Sequence, residues 1–189
     1  MDVQSCYTSA YEMRKKSPLK AVEMIEKCLC DCECSWLDRM RANLNLGLIY
    51  EEIREYKKAE EAFCESLNAV PENIKDKYKA EISINILRVC LHITDFSFSE
   101  RLYELYTTAI KANALTLSMR QNLFYISLTE IIIAEHEKDN ERIRNAINNA
   151  LSALNKNKKT ETDRLLKKHR YEDDANASDE ALKFLRKHI

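Results

Sequence analysis

Apolar residues return every three or four positions in nearly every segment of this chain, the period of one face of an α-helix. Val3, Tyr7, Ala10 and Tyr11 form a first stripe, and Ala21, Ile25 and Cys28, with Leu29 beside them, form a second. Ser17-Pro18 between them reads as an N-cap followed by proline at the first helical position. Extended along the chain, the pattern predicts helices at about 3–15, 18–31, 37–54, 56–70, 73–93, 98–112, 115–138 and 140–155. Consecutive helices of this length joined by short breaks pair into about four antiparallel hairpins. The helix from Leu115 to Lys138 is apolar on most sides through Leu123, Phe124, Tyr125, Ile126, Leu128, Ile131, Ile132 and Ile133. Such a helix is buried on more than one side, so something besides its hairpin partner must cover it. The chain closes on SDEALKFLRKHI, with Ser178 as N-cap, acids in the first turn, and Arg186, Lys187 and His188 in the last. Those charges complement the helix dipole at both ends. Ala181, Leu182, Leu185 and Ile189 make its apolar side.

Composition sharpens the fold class. One glycine and two prolines in 189 residues leave almost no turn chemistry for hairpins of strands, so the prediction is all-α. The single glycine, Gly47, sits inside a helical stretch, where it costs roughly 1 kcal/mol relative to alanine and therefore needs a packing reason. Leu46, Gly47 and Tyr50 share one face of a helix; Ala59, Phe63 and Ser66 share one face of the next; Pro71 ends that second helix. Gly47 and Ala59 are expected to meet where the two helices come closest, with Tyr50 and Phe63 where the crossing opens.

These residues carry a family resemblance. Met40 to Asn73, with Leu-Gly-x-x-Tyr followed by Ala, Phe, a small residue and Pro at matching offsets, resembles a tetratricopeptide repeat of 34 residues. Asn43 stands where that motif usually has an aromatic. A looser period of 42 follows: Ala59, Phe63 and Ser66 map onto Arg101, Leu105 and Thr108, then onto Ile143, Ile147 and Ala150, while Gly47 maps onto Val89 and Ile131.

The resemblance implies a right-handed tetratricopeptide-like superhelix over residues 1–155, a polar charged connector over 156–177 and a C-terminal capping helix over 178–189. It implies a non-catalytic scaffold that binds another protein or a peptide on its concave surface. The family's inward positions fall on Arg41, Leu44, Leu48, Glu51 and Glu52, then on Ser83, Ile86, Cys90, Ile93 and Thr94, then on Tyr125, Leu128, Ile132, Glu135 and His136, which makes the expected groove charged at one end and apolar towards the other. Of these, Arg41 and Glu52 are expected to steer a partner, and Leu48, Ile86 and Tyr125 to anchor it. The capping helix filling the apolar half of that surface is the competing expectation. Two other functions fit the same pattern: a bacterial antitoxin or immunity-type inhibitor, and the peptide-sensing module of a regulator lacking its effector domain.

Charge and candidate chemistry narrow the partner class. Thirty basic and 31 acidic residues leave a net charge of −1, which gives no general attraction to nucleic acid or to an anionic membrane. The basic run from Lys156 to Arg170 is diluted by Glu161 and Asp163 and reads as a solvated connector. The N-terminus has no apolar signal core, and seven cysteines, an odd number, read as reduced thiols in a cytoplasm. Cys28, Cys30, Cys32 and Cys34 alternate, whereas zinc sites pair C-x-x-C-like knuckles across a longer loop. A helix end with reduced cysteines is the preferred reading, next to acids at Asp31 and Glu33 that disfavour thiolates. Four scattered histidines show no metal pair. The sequence contains no phosphate loop, nucleophile elbow or HExxH, so neither cofactor, metal nor catalytic residue is expected.

Overall fold

The computed structural model describes residues 3–31, 33–113, 120–157 and 178–189. Among them are nine α-helices and no strand: α1 (Val3–Met13), α2 (Pro18–Asp31), α3 (Trp36–Glu52), α4 (Tyr56–Asn68), α5 (Lys75–Ile93), α6 (Glu100–Asn113), α7 (Arg120–Glu137), α8 (Asn140–Asn157) and α9 (Asp179–Arg186), with a 3-10 turn at Glu72–Ile74 leading into α5. The fold is all-α. No described helix is long and apolar enough to cross a membrane. Two compact units divide the chain, Met1–Ile93 and Thr94–Ile189.

Local chemistry explains most helix starts. Pro18 opens α2, and the Ala21 amide donates to the Ser17 carbonyl. Ser35 caps α3: its Oγ accepts from the Asp38 amide at 3.2 Å and donates to the Asp38 carboxylate at 2.6 Å. The segment before Trp36 reads as irregular in the sequence, so this Ser-x-x-Asp signal is a gain from the structure. Ser99 caps α6 through the Leu102 amide, and Asp139 caps α8 through the amides of Glu141 and Arg142. Pro71 stands just beyond the last turn of α4. Ser178 caps α9, its Oγ accepting from the Ala181 amide.

In the first unit each helix packs on the next, and α1 packs also on α3. The hairpins are antiparallel: Ser66 near the end of α4 donates its hydroxyl to the Met40 carbonyl near the start of α3, 2.8 Å away and fully buried. Tyr7, Ala10, Ala21, Val22, Ile25, Ala42, Leu46 and Ile49 form one continuous core across α1, α2 and α3. Gly47 has a packing reason. A Cβ there would overlap Cδ1 and Cε1 of Phe63 and lie 2.8 Å from its Cζ. The glycine makes room for an aromatic ring of α4, a helix on which Ala59 is fully buried as well.

The period of 42 is visible in the backbone. Arg54, Phe96 and Lys138 stand 42 positions apart, and all three take left-handed conformations, with φ of 64°, 54° and 61°. Two of these corners share one hydrogen-bond pattern. The Glu55 amide donates to the Tyr50 carbonyl and the Arg54 amide to that of Glu51; likewise Asp139 to Ala134 and Lys138 to Glu135. This is the Schellman arrangement, which normally uses glycine. Burial repeats as well. Met40, Ala42, Leu44, Leu48 and Ile49 of α3 are buried, as are Ile82, Ile84, Ile86, Cys90 and Leu91 of α5, and Phe124, Ile126, Leu128, Ile132 and Ile133 of α7. Gly47, Val89 and Ile131 are buried at one further shared position. This recurrence is compatible with a helical repeat.

The second helix of the middle pair departs from the sequence register. Its corner is longer, with Asp95 also at positive φ, so α6 starts at Glu100 and turns its face by one residue. Leu102, Tyr106 and Ala109 are buried there, while Arg101 is exposed and Leu105 and Thr108 are half-buried. In α8 the register returns, with Ala146 and Ala150 buried and Ile143 and Ile147 half-buried.

In the second unit α7 packs on both α6 and α8. Buried hydroxyls on α7 are satisfied within the helix: Ser127 Oγ donates to the Leu123 carbonyl and Thr129 Oγ1 to that of Tyr125. Helix α8 continues through residues 156 and 157, the first two of the expected connector; its remaining residues, 158–177, lie outside the described residues, as does the start of the expected helix before Arg120.

Candidate interaction site

Helices α3, α5 and α7 hold the residues singled out for binding. Leu44, Leu48, Ile86, Cys90, Tyr125, Leu128 and Ile132 are all buried, with exposures of 8% or less. Arg41 is half-buried and Glu52 exposed. The apolar members therefore support the surface from beneath, and in the first unit its accessible layer is polar.

That layer is a ladder of charged contacts between successive first helices. Arg41 Nη1 reaches the Tyr7 hydroxyl of α1 at 3.5 Å. Arg14, 5% exposed, donates from Nε to Glu52 at 3.0 Å and from Nη1 to the Tyr11 carbonyl, and its guanidinium lies 3.6 Å over the Tyr11 ring. Glu51, the neighbour of Glu52, faces the other way and takes a two-pronged hydrogen bond from Arg88 of α5, with Nη2 to Oε2 at 2.6 Å. Adjacent carboxylates at the end of α3 thus tie it to both flanking helices. The sequence reading missed Arg14 and Arg88. An arginine inside the apolar run of α5 was the available signal, because a buried guanidinium demands a carboxylate.

At the outer side of the same unit, the Tyr50 hydroxyl donates to Glu26 of α2 at 2.7 Å. Burial, and then that bond to a carboxylate, push the phenol up to about 12.

In the second unit, α9 lies along α7. The Ser178 amide donates to the Tyr125 hydroxyl at 3.3 Å, and His188 Nε2 meets Glu135 Oε1 at 2.9 Å. Ten residues separate each pair of ends, about 15 Å of helix, so α9 runs parallel to α7 over the stretch that contains Leu128 and Ile132. Ala181 and Leu185 are buried, and Phe184 stacks on Phe96 with ring centroids 5.4 Å apart. Ile189, expected on the apolar side, is 74% exposed; Phe184 takes that role. His188 Nδ1 also faces the Phe184 carbonyl at 2.8 Å. With an oxygen acceptor at each ring nitrogen, both contacts are hydrogen bonds in the imidazolium form. The C-terminal helix thus meets α7 at Tyr125 and Glu135, two of the positions expected to face inward.

A further concavity of about 370 Å³ opens among α6, α7 and α8, with Tyr106, Ile126 and Ala153 on its wall and Glu130 and Arg142 at its edge. Arg142 bonds Glu130 at 2.6 Å and also contacts Glu137 and, through its own amide, Asp139. Among the described residues no group of three or more His, Cys, Asp or Glu side chains is placed to hold a metal ion. Cys28 and Cys34 are half-buried and Cys30 is exposed, while Cys32 lies outside the described residues.

Compared with known proteins, the chain matches no protein-family model and no curated protein.

Proposed function

We propose that this chain is a tetratricopeptide-like scaffold that binds another protein or a peptide segment through the inner faces of its first helices, without catalysing a reaction. The observation that carries the reading is the period of 42. Left-handed corners at Arg54, Phe96 and Lys138 and matched burial along α3, α5 and α7 are what stacked helical hairpins require. Stacked hairpins present a preformed surface, and a preformed surface lowers the ordering cost of binding an extended segment or a helix. The polar ladder of the first unit supplies orientation and rate, with Arg41 and Glu52 as its accessible charges.

The test begins with affinity purification of the full chain from its native cell and mass spectrometry of what it retains. Calorimetry with the recovered partner then compares wild type with Arg41→Ala and Glu52→Gln, the second chosen because glutamine still accepts from Arg14. Roughly tenfold weaker binding in folded variants is the expected result, about 1.4 kcal/mol. A partner bound equally well by both variants would remove the inner face from consideration.

A further inference from the structure

Glu51 of α3 pairs with Arg88 on α5, the first helix of the following hairpin. Eighty-four residues later, twice the repeat, Glu135 of α7 pairs with His188 on α9. The two acids occupy the same position of their repeats, and each takes a basic side chain from the next helix of like direction. Helix α5 runs parallel to α3, since both are antiparallel to α4: Ser66 meets Met40 on one side, and Tyr56 stacks on His92 at 4.4 Å on the other. Helix α9 runs parallel to α7 in the same way. It therefore stands where the first helix of one more hairpin would stand.

A stand-in of this kind defines what fits the place. We infer that the face of α7 between Tyr125 and Glu135 is a docking surface for an amphipathic helix of the partner, with α9 as its intramolecular substitute. This rests on the partner-binding reading and adds the chemistry of the bound segment. The occupant carries a small residue and a leucine four apart, as Ala181 and Leu185 do, an aromatic just before the leucine, as Phe184, and a cation in the last turn to meet Glu135. Charge decides its direction, because a helix laid the other way would bring its acidic first turn against Glu135. Helix α9 holds the place lightly. It has eight residues, below the length at which a helix is stable alone, and only Ala181 and Leu185 are fully enclosed. A longer partner helix with the same pattern makes more contact and displaces it.

The test uses the full chain and a fluorescein-labelled synthetic peptide of Ser178 to Ile189, followed by fluorescence anisotropy. In the chain variant Leu185→Asp the resident α9 is released, and the peptide is expected to bind at least tenfold more tightly than to wild type. The same substitution in the peptide should abolish binding. A second chain variant, His188→Ala, removes the Glu135 contact and the local contacts of His188 with Phe184 while leaving Ala181 and Leu185 in place, and should give a smaller gain. If the variants keep the helical circular dichroism of wild type yet bind no better, the inference is overturned. Loss of helicity in both variants overturns it too, because α9 would then be an inseparable part of the core. A wild-type dimer dissolved by the peptide would give the place to a second copy's α9 and overturn the assignment to a partner. Capture of a partner that depends on Arg41 and Glu52, alongside failure of the peptide, would leave the scaffold reading intact and remove this inference alone.

Discussion

At the scale of single residues, Gly47 shows how one small residue inside a helix announces tight packing, here against the ring of Phe63. The ring of Phe63 is fully buried and sits where any Cβ on residue 47 would go. Gly47→Leu is expected to lower stability by about 1–3 kcal/mol despite its better helix propensity, measured as a urea midpoint. Pairing Gly47→Ala with Phe63→Leu should recover most of what the alanine alone loses, since the smaller side chain vacates the overlap. The Glu51–Arg88 pair is the other exacting site, with side chains 18% and 8% exposed. Arg88→Met strands a mostly buried carboxylate and should cost about 3–5 kcal/mol, while the double variant with Glu51→Leu should cost much less. Tyr50 gives a prediction in pH. Its pKa of about 12 in the folded chain exceeds the ordinary 10, so its share of stability is complete below pH 10 and is lost as pH rises through 12. Spectrophotometric titration should place one phenol near the upper value, and Glu26→Gln should bring it down.

At the scale of elements, the corners carry the repeat more faithfully than the helices do. Arg54 and Lys138 hold left-handed backbone without glycine, at a cost of about 1–2 kcal/mol each for residues with a Cβ. Replacing either by glycine should raise stability by about 0.5–1 kcal/mol, which differential unfolding in urea would reveal. The sequence could not show these corners, because the usual glycine marker is absent from both. Helix existence was legible throughout, since periodicity of apolar residues depends only on one face meeting a core. The faces of α3, α5 and α7 were legible too, and the shift of 42 lands on buried residues in all three. The face of α6 was not. Its register depends on the longer corner after Thr94, and nothing local in Arg101, Leu105 or Thr108 announces a rotation of one residue. The depth of the expected binding residues was not legible: the motif gives their register, but Tyr125 meets a partner, Ser178, some fifty residues away.

At the scale of the molecule, Met1–Ile93 and Thr94–Ile189 each have an interior of their own. The first unit encloses Ile25, Ile49 and Phe63 completely, and its ladder of Arg14, Glu52, Glu51 and Arg88 closes within it. Residues 1–93 expressed alone are therefore expected to give a helical circular dichroism spectrum and a cooperative thermal transition. A broad, non-cooperative melt would show that the core as drawn is insufficient. In the second unit α9 meets α7 at Tyr125 and Glu135, and deletion of Ser178 to Ile189 is expected to raise binding of an apolar dye or bring on aggregation.

Phe96 joins these scales. It is a bulky residue at a φ of 54°, a backbone state that persists only where the surroundings hold it. Part of that hold is the ring of Phe184, stacked on it from α9. The corner before α6 is thus braced in part by the C-terminal helix. Phe184→Ala removes that brace, and faster hydrogen exchange of the Ser97 amide, which bonds the Thr94 carbonyl, is the expected result. One ring contact thereby ties the last helix to a turn more than eighty residues before it in the chain.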